Sequence, residues 1–117
     1  MSKFENAILE FIASGTSDRA LHAQLKGVRV TERKHTGVGC YSRLESPAEA
    51  PATSEPYRDR GPITGPIFES PQIKNGGGSL LWFKDGRVSE LEIYTYEGEF
   101  PKNQDDILEF KLNPGIC

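Results

Sequence analysis

The chain has 117 residues, 36% of them hydrophobic and 26% charged, with a net charge of −3. That length supports one independent core without metal or disulfide staples. No apolar run approaches the roughly 18 residues of a membrane-spanning helix, and Met1-Ser2-Lys3-Phe4-Glu5 offers no hydrophobic signal core. These features argue against a membrane or secreted protein and set the expectation of a single cytoplasmic domain over residues 1–117.

In chain order, Ser2-Lys3-Phe4-Glu5 reads as a capping box, in which the serine oxygen and the glutamate satisfy free backbone N–H groups reciprocally. Phe4, Ala7, Ile8, Phe11 and Ile12 then recur at the spacing of one helical face, predicting a helix over 3–14 that stops at Gly15. Thr16 or Ser17 caps a shorter helix at about 18–25, with Leu21 and Leu25 on one side and Gly27 as its end. From Val28 the period changes to two: Val28 and Val30 alternate with Arg29, Thr31 and Arg33, as in a half-buried strand. Thr36-Gly37-Val38-Gly39 turns the chain, and 40–45 continues as strand.

Residues 46–61, with Pro47, Pro51 and Pro56 and little to bury, read as an exposed Pro-rich loop. A short strand over 63–69 is assigned to a sheet edge because Pro62 and Pro66 cannot donate to a ladder. Gly76-Gly77-Gly78 leads into a strand over 79–84, and Asp85-Gly86 turns it into a second strand over 87–96. Residues 105–112 form a helical turn or a short strand. The expected fold is α+β: an N-terminal helix and a short second helix packed on one face of a mostly antiparallel sheet of about four to six strands.

A two-residue turn sets Lys84 opposite Arg87, Phe83 opposite Val88, Trp82 opposite Ser89 and Leu81 opposite Glu90. On that register Leu80, Trp82, Leu91 and Ile93 share one face. Leu81, Phe83, Val88, Glu90, Glu92, Tyr94 and Tyr96 share the other.

Motifs that carry chemistry are mostly missing. Gly37-Val38-Gly39 lacks a third glycine, since Ser42 occupies that position, and no helix pattern follows it; the triple glycine also precedes a strand. His22 and His35 have no partner at metal-ligand spacing, so neither metal nor cofactor is expected. His35 can approach Cys40 across the turn, an arrangement able to lower a thiol pKa, but a small buried cysteine is the favoured reading. Cys40 and Cys117 are expected to be free thiols.

The acids concentrate late in the chain: residues 85–109 hold eight of them against Arg87 and Lys102, a net of −6. That balance opposes nucleic-acid binding, which needs a clustered basic footprint. Glu90 and Glu92 admit three readings: a two-carboxylate hydrolase pair, cross-strand ion pairs with Arg29, Arg33 or Arg43, or, with Tyr94 and Tyr96, a partner-binding surface. No catalytic residues are assigned.

Leu21-His22-Ala23-Gln24-Leu25, Val28-Arg29-Val30-Thr31-Glu32-Arg33, Thr36-Gly37-Val38-Gly39-Cys40-Tyr41-Ser42 and the stretch from Leu81-Trp82-Phe83-Lys84 through Tyr94-Thr95-Tyr96 resemble a group of short bacterial proteins without assigned function. That group leads one to expect a TGVG followed by aromatics and a DG hairpin running into LE-x-Y-x-Y; Cys40 departs from it. Some similar small acidic proteins look like immunity proteins encoded beside toxins. The resulting expectation is a non-enzymatic protein that binds a basic protein partner through Glu90, Glu92, Tyr94 and Tyr96. The alternative is a small enzyme or small-molecule binder with a pocket between the N-terminal helix and the sheet.

Overall fold

The capping box closes as its residues require. In the computed structural model, which describes residues 1–53 and 62–115, the Glu5 backbone N–H donates to Ser2 Oγ at 3.1 Å and the Ser2 N–H donates to Glu5 Oε1 at 2.9 Å. Helix α1 (Lys3–Ser14) follows and buries Phe4, Ile8, Leu9 and Ile12; Ala7 and Phe11 are only half-buried. Helix α2 (Arg19–Lys26) is capped by Asp18, whose carboxylate accepts the N–H groups of Ala20 and Leu21. Thr16 Oγ1 accepts from Asp18 N–H instead, so the cap falls one to two residues later than expected.

Seven strands follow: β1 (Arg29–His35), β2 (Gly39–Glu45), β3 (Ile63–Thr64), β4 (Ile67–Ser70), β5 (Ile73–Lys84), β6 (Arg87–Thr95) and β7 (Lys111–Asn113). They form one sheet in the order β1-β2-β6-β5-β4-β7, with β3 also paired to β5. Every pairing is antiparallel. The architecture is α+β, as expected, with both helices near the N-terminus. The 63–69 stretch divides in two around Gly65-Pro66, and β4 lies between β5 and β7 rather than at an edge. Pro66 falls in the break between β3 and β4, where a missing N–H leaves no gap in a ladder. Its carbonyl accepts from Ser79 Oγ at 2.7 Å, and Gly65 N–H donates to Ser79 O at 2.9 Å.

The glycines 76–78 do not precede the strand; they lie inside β5. A Cβ on Gly77 would stand 1.9 Å from Tyr94 O and 2.6 Å from the Phe68 ring, and one on Gly78 would stand 2.4 Å from Tyr94 Oη. The missing side chains are what let the Tyr94 ring lean across onto β5 and Phe68 press up from below. Asp85 (φ 54°) and Gly86 (φ 78°) both adopt the left-handed backbone of a tight hairpin turn.

Beyond that turn the register departs from the simple two-residue hairpin. Lys84 faces Arg87 and Phe83 faces Val88, but Trp82 then faces Glu90, Leu81 faces Leu91 and Leu80 faces Glu92. Ser89 is the extra residue of a β-bulge, and it reverses the parity of everything after it. Val88, Leu91 and Ile93 all point into the core. Leu81 joins them, whereas Leu80 and Trp82 move to the face of Glu90, Glu92 and Tyr94, correcting the expected grouping.

The core fills the space between α1 and the sheet. Phe4 meets Phe68 and Phe110 edge-on with ring centroids 5.0 Å apart, and Phe100 at 6.4 Å. Ile8, Leu21, Leu81, Leu91 and Ile93 complete the cluster. The hairpin tip is tied down from two sides. Gln24 Nε2 donates to Gly86 O and Pro51 O, and Gln24 Oε1 accepts Val88 N–H at 2.8 Å. Thr53 donates to Gly86 O through both its N–H and its hydroxyl.

Arg87 donates to Ser46 Oγ and to the carbonyls of Pro47, Ala48 and Ala50. The first half of the Pro-rich loop is therefore anchored, with Ala50 and Thr53 buried. Residues 54–61 and Cys117 lie outside the described residues. Among the described residues no helix is long and apolar enough to cross a membrane.

Candidate functional site

Two groups of side chains combine charge with hydrogen-bonding capacity, one on each face of the sheet. On the helix-covered face, Glu5 has no exposed surface. Arg33 reaches it from β1 through Nε (3.0 Å) and Nη2 (2.6 Å). Ser42 Oγ donates to it from β2, Gln104 Nε2 donates at 3.3 Å from the short 3₁₀ turn Gln104–Asp106, and Ser2 N–H completes the set. Burial pushes this carboxyl up, but the hydrogen bonds from Arg33, Ser42 and Ser2 and the charge of Arg33 outweigh it and hold the pKa at about 2. Glu5 is thus ionised at any ordinary pH and its acceptor sites are occupied. A general base needs a proton affinity near neutrality, and Glu5 has the opposite.

Cys40 sits beside this cluster, 1% exposed and free, opposite His35 in the β1–β2 register. Burial pushes its thiol up, so it is a core residue and not an activated nucleophile. Outside the cluster a cleft of about 360 Å³ opens beside Arg33, His35, Lys102 and Asp105. The charges of Arg33 and Lys102 are offset there by Glu5 and Asp105.

Among the described residues, no helix covers the other face of the sheet. Residues directly opposite in an antiparallel ladder share a face, so three cross-strand rows can be read from the register. Arg43, Glu90 and Trp82 form one; Tyr41, Glu92 and Leu80 form the next; Gly39, Tyr94 and Gly78 form the third. Glu90, Glu92, Tyr94, Tyr41, Trp82 and Leu80 are all half-buried, and Tyr96 is 57% exposed.

Trp82 Nε1 donates to Glu92 Oε1 at 3.0 Å, reaching diagonally from its position opposite Glu90. The charge of Glu92 and partial desolvation push the Tyr41 hydroxyl up. Desolvation, Tyr96 and Glu92 do the same to Tyr94. The rings of Tyr94 and Tyr96 meet at 62° with centroids 6.0 Å apart.

Of the four residues singled out from the sequence, Glu90, Glu92 and Tyr94 therefore lie along one side of β6, and Tyr96, just past its end, meets Tyr94. Two neighbours were missed. Tyr41 stands opposite Glu92 on β2, and no local sequence signal pairs those strands. Trp82 was assigned to the other face because the bulge at Ser89 was not anticipated. The irregular spacing of Val88, Leu91 and Ile93, three apart and then two, is the signal that marks it.

The arginines proposed as ion-pair partners are engaged elsewhere: Arg29 with Glu45 at 2.5 Å, Arg33 with Glu5, and Arg43 with Glu32 at 3.5 Å. Arg43 stands opposite Glu90 in the register nonetheless. Glu90 and Glu92 stand half-buried on the face of the sheet that carries no helix among the described residues. The space between α1 and the sheet, where a ligand pocket was the alternative expectation, is filled by Phe4, Ile8, Leu81, Leu91 and Ile93, each at most 1% exposed. Among the described residues no three His, Cys, Asp or Glu side chains are grouped to hold a metal ion. No protein-family model, curated protein or solved structure matches this chain.

Proposed function

We propose that this protein is a non-catalytic binding protein that docks a basic protein partner on the open face of its sheet, and that it acts in the cytoplasm. The observation that carries this reading is the composition of that face: Glu90 and Glu92 flanked by Tyr41, Trp82, Tyr94 and Leu80, with Tyr96 at the rim. Tyrosine and tryptophan bring large amphipathic contact area at low entropic cost, and the carboxylates steer a cationic partner and set its register. The net of −6 over residues 85–109 extends the same field beyond the contact. Some similar small acidic proteins look like immunity proteins encoded beside toxins, which makes a basic toxin encoded beside this gene the partner to test first.

The test is calorimetric titration of the protein against that neighbour's product at low and at high salt. Binding that weakens with salt and is lost in the Glu90→Lys/Glu92→Lys variant is the expected result. Unchanged binding in that variant overturns the reading.

A further inference from the structure

Resting on that reading, we propose that the open face selects arginine over lysine: its floor accepts a flat guanidinium group from the partner. Two aromatic side chains pave this part of the sheet. The Tyr94 ring leans over β5 at Gly78, where an added Cβ would stand 2.4 Å from Tyr94 Oη and 2.7 Å from Cζ. The Trp82 indole starts opposite Glu90 and reaches Glu92 with its N–H, so the ring crosses from the Glu90 row to the Glu92 row. Leu80 lies between Trp82 and Gly78 on the same side of β5 and completes an apolar surface.

The carboxylates supply the complementary charge. Glu90 and Glu92 are two residues apart on one strand, on the order of 7 Å between their Cβ atoms. Glu92 is oriented in advance by Trp82 Nε1–H. Arg43, the nearest cation by register, directs Nη1 to Glu32.

A planar cation stacked on the indole can fork onto a carboxylate at its edge, and guanidinium does both. The lysine ammonium is compact, strongly hydrated and cannot fork, so the same surface offers it charge alone.

Trp82 is the one tryptophan in the chain, so its fluorescence reports on this surface directly. The probes are three acetylated, amidated hexapeptides of alternating glycine with arginine, lysine or glutamine, titrated against the intact protein at low salt. The arginine peptide is expected to change Trp82 emission and to bind about tenfold tighter than the lysine peptide, the worth of one stacked, forked cation. The glutamine peptide is expected not to bind. Glu92→Gln is expected to remove most of the arginine preference while leaving the circular dichroism spectrum unchanged.

Equal affinity for the arginine and lysine peptides overturns the inference and leaves docking of a basic partner intact. So does failure of all three peptides while the Glu90→Lys/Glu92→Lys variant still loses the protein partner. If that variant keeps the partner, the docking reading itself falls.

Discussion

On the helix-covered face of the sheet, Glu5 is enclosed by five donor atoms, from Ser2, Arg33, Ser42 and Gln104. On the open face, Glu92 is met by Trp82 alone among the described residues, and Glu90 faces Arg43 across the ladder. All three are glutamates on one small domain, yet only the first has its hydrogen-bonding capacity used up within the chain. A carboxylate sealed from water and saturated with donors contributes to holding segments together. One that keeps acceptor capacity and stands among half-exposed aromatic rings is able to meet something else. Acidity in the sequence does not separate these cases; the count of donors around each oxygen does.

The comparison breaks most visibly at Glu5. Replacing it with alanine strands Arg33, Ser42 and Gln104 and removes the Ser2 partner of the capping box. A loss of about 3–5 kcal/mol is expected, as for removing one member of a buried ion pair, measured by urea unfolding. A loss below about 1 kcal/mol, the range of an exposed ion pair, would mean that the cluster does not hold these segments together.

The second test uses pH. The Glu5 carboxyl lies near 4.5 when free and at about 2 in the folded chain. A depressed acid stabilises the fold above its unfolded pKa and loses that contribution as pH falls through the folded one. Stability should therefore drop between about pH 4.5 and 2, by on the order of 2 kcal/mol once screening at the open side of Arg33 is allowed for. Glu5→Gln should flatten that part of the profile; an unchanged acid slope would assign it to other groups.

The smallest effect belongs to the open face. Glu90→Gln/Glu92→Gln should shift unfolding by no more than about 1 kcal/mol, the cost of one partly exposed hydrogen bond to Trp82. A shift of several kcal/mol would mean that these glutamates hold the sheet together, erasing the contrast between the faces.

The sequence made parts of this legible because those parts are decided locally. Ser2 and Glu5 close a capping box within four residues, and Asp85-Gly86 supplies the two positive φ angles that the turn requires. What escaped depends on contacts distant in the chain. Capping accounted for Glu5 completely, so nothing in its neighbourhood announced Arg33, 28 residues on. Pro66 suggested an edge strand because the break between β3 and β4 was unseen. The bulge at Ser89 moved Trp82 onto the candidate face by a single residue's shift. Tyr41 joined that face only when β2 paired with β6.

The aromatic cluster around Phe4 has a consequence for how the molecule assembles. Helix α1 is far in sequence from its partners Phe68, Phe100 and Phe110. The hydrogen bond from Ser2 to Gln104 spans 102 positions. Arg33 and Ser42 reach the helix from nearer strands, but the ring cluster around Phe4 closes only with the far segments. Docking of the helix therefore depends on contacts distant in the chain, whose loop-closure cost makes that step slow.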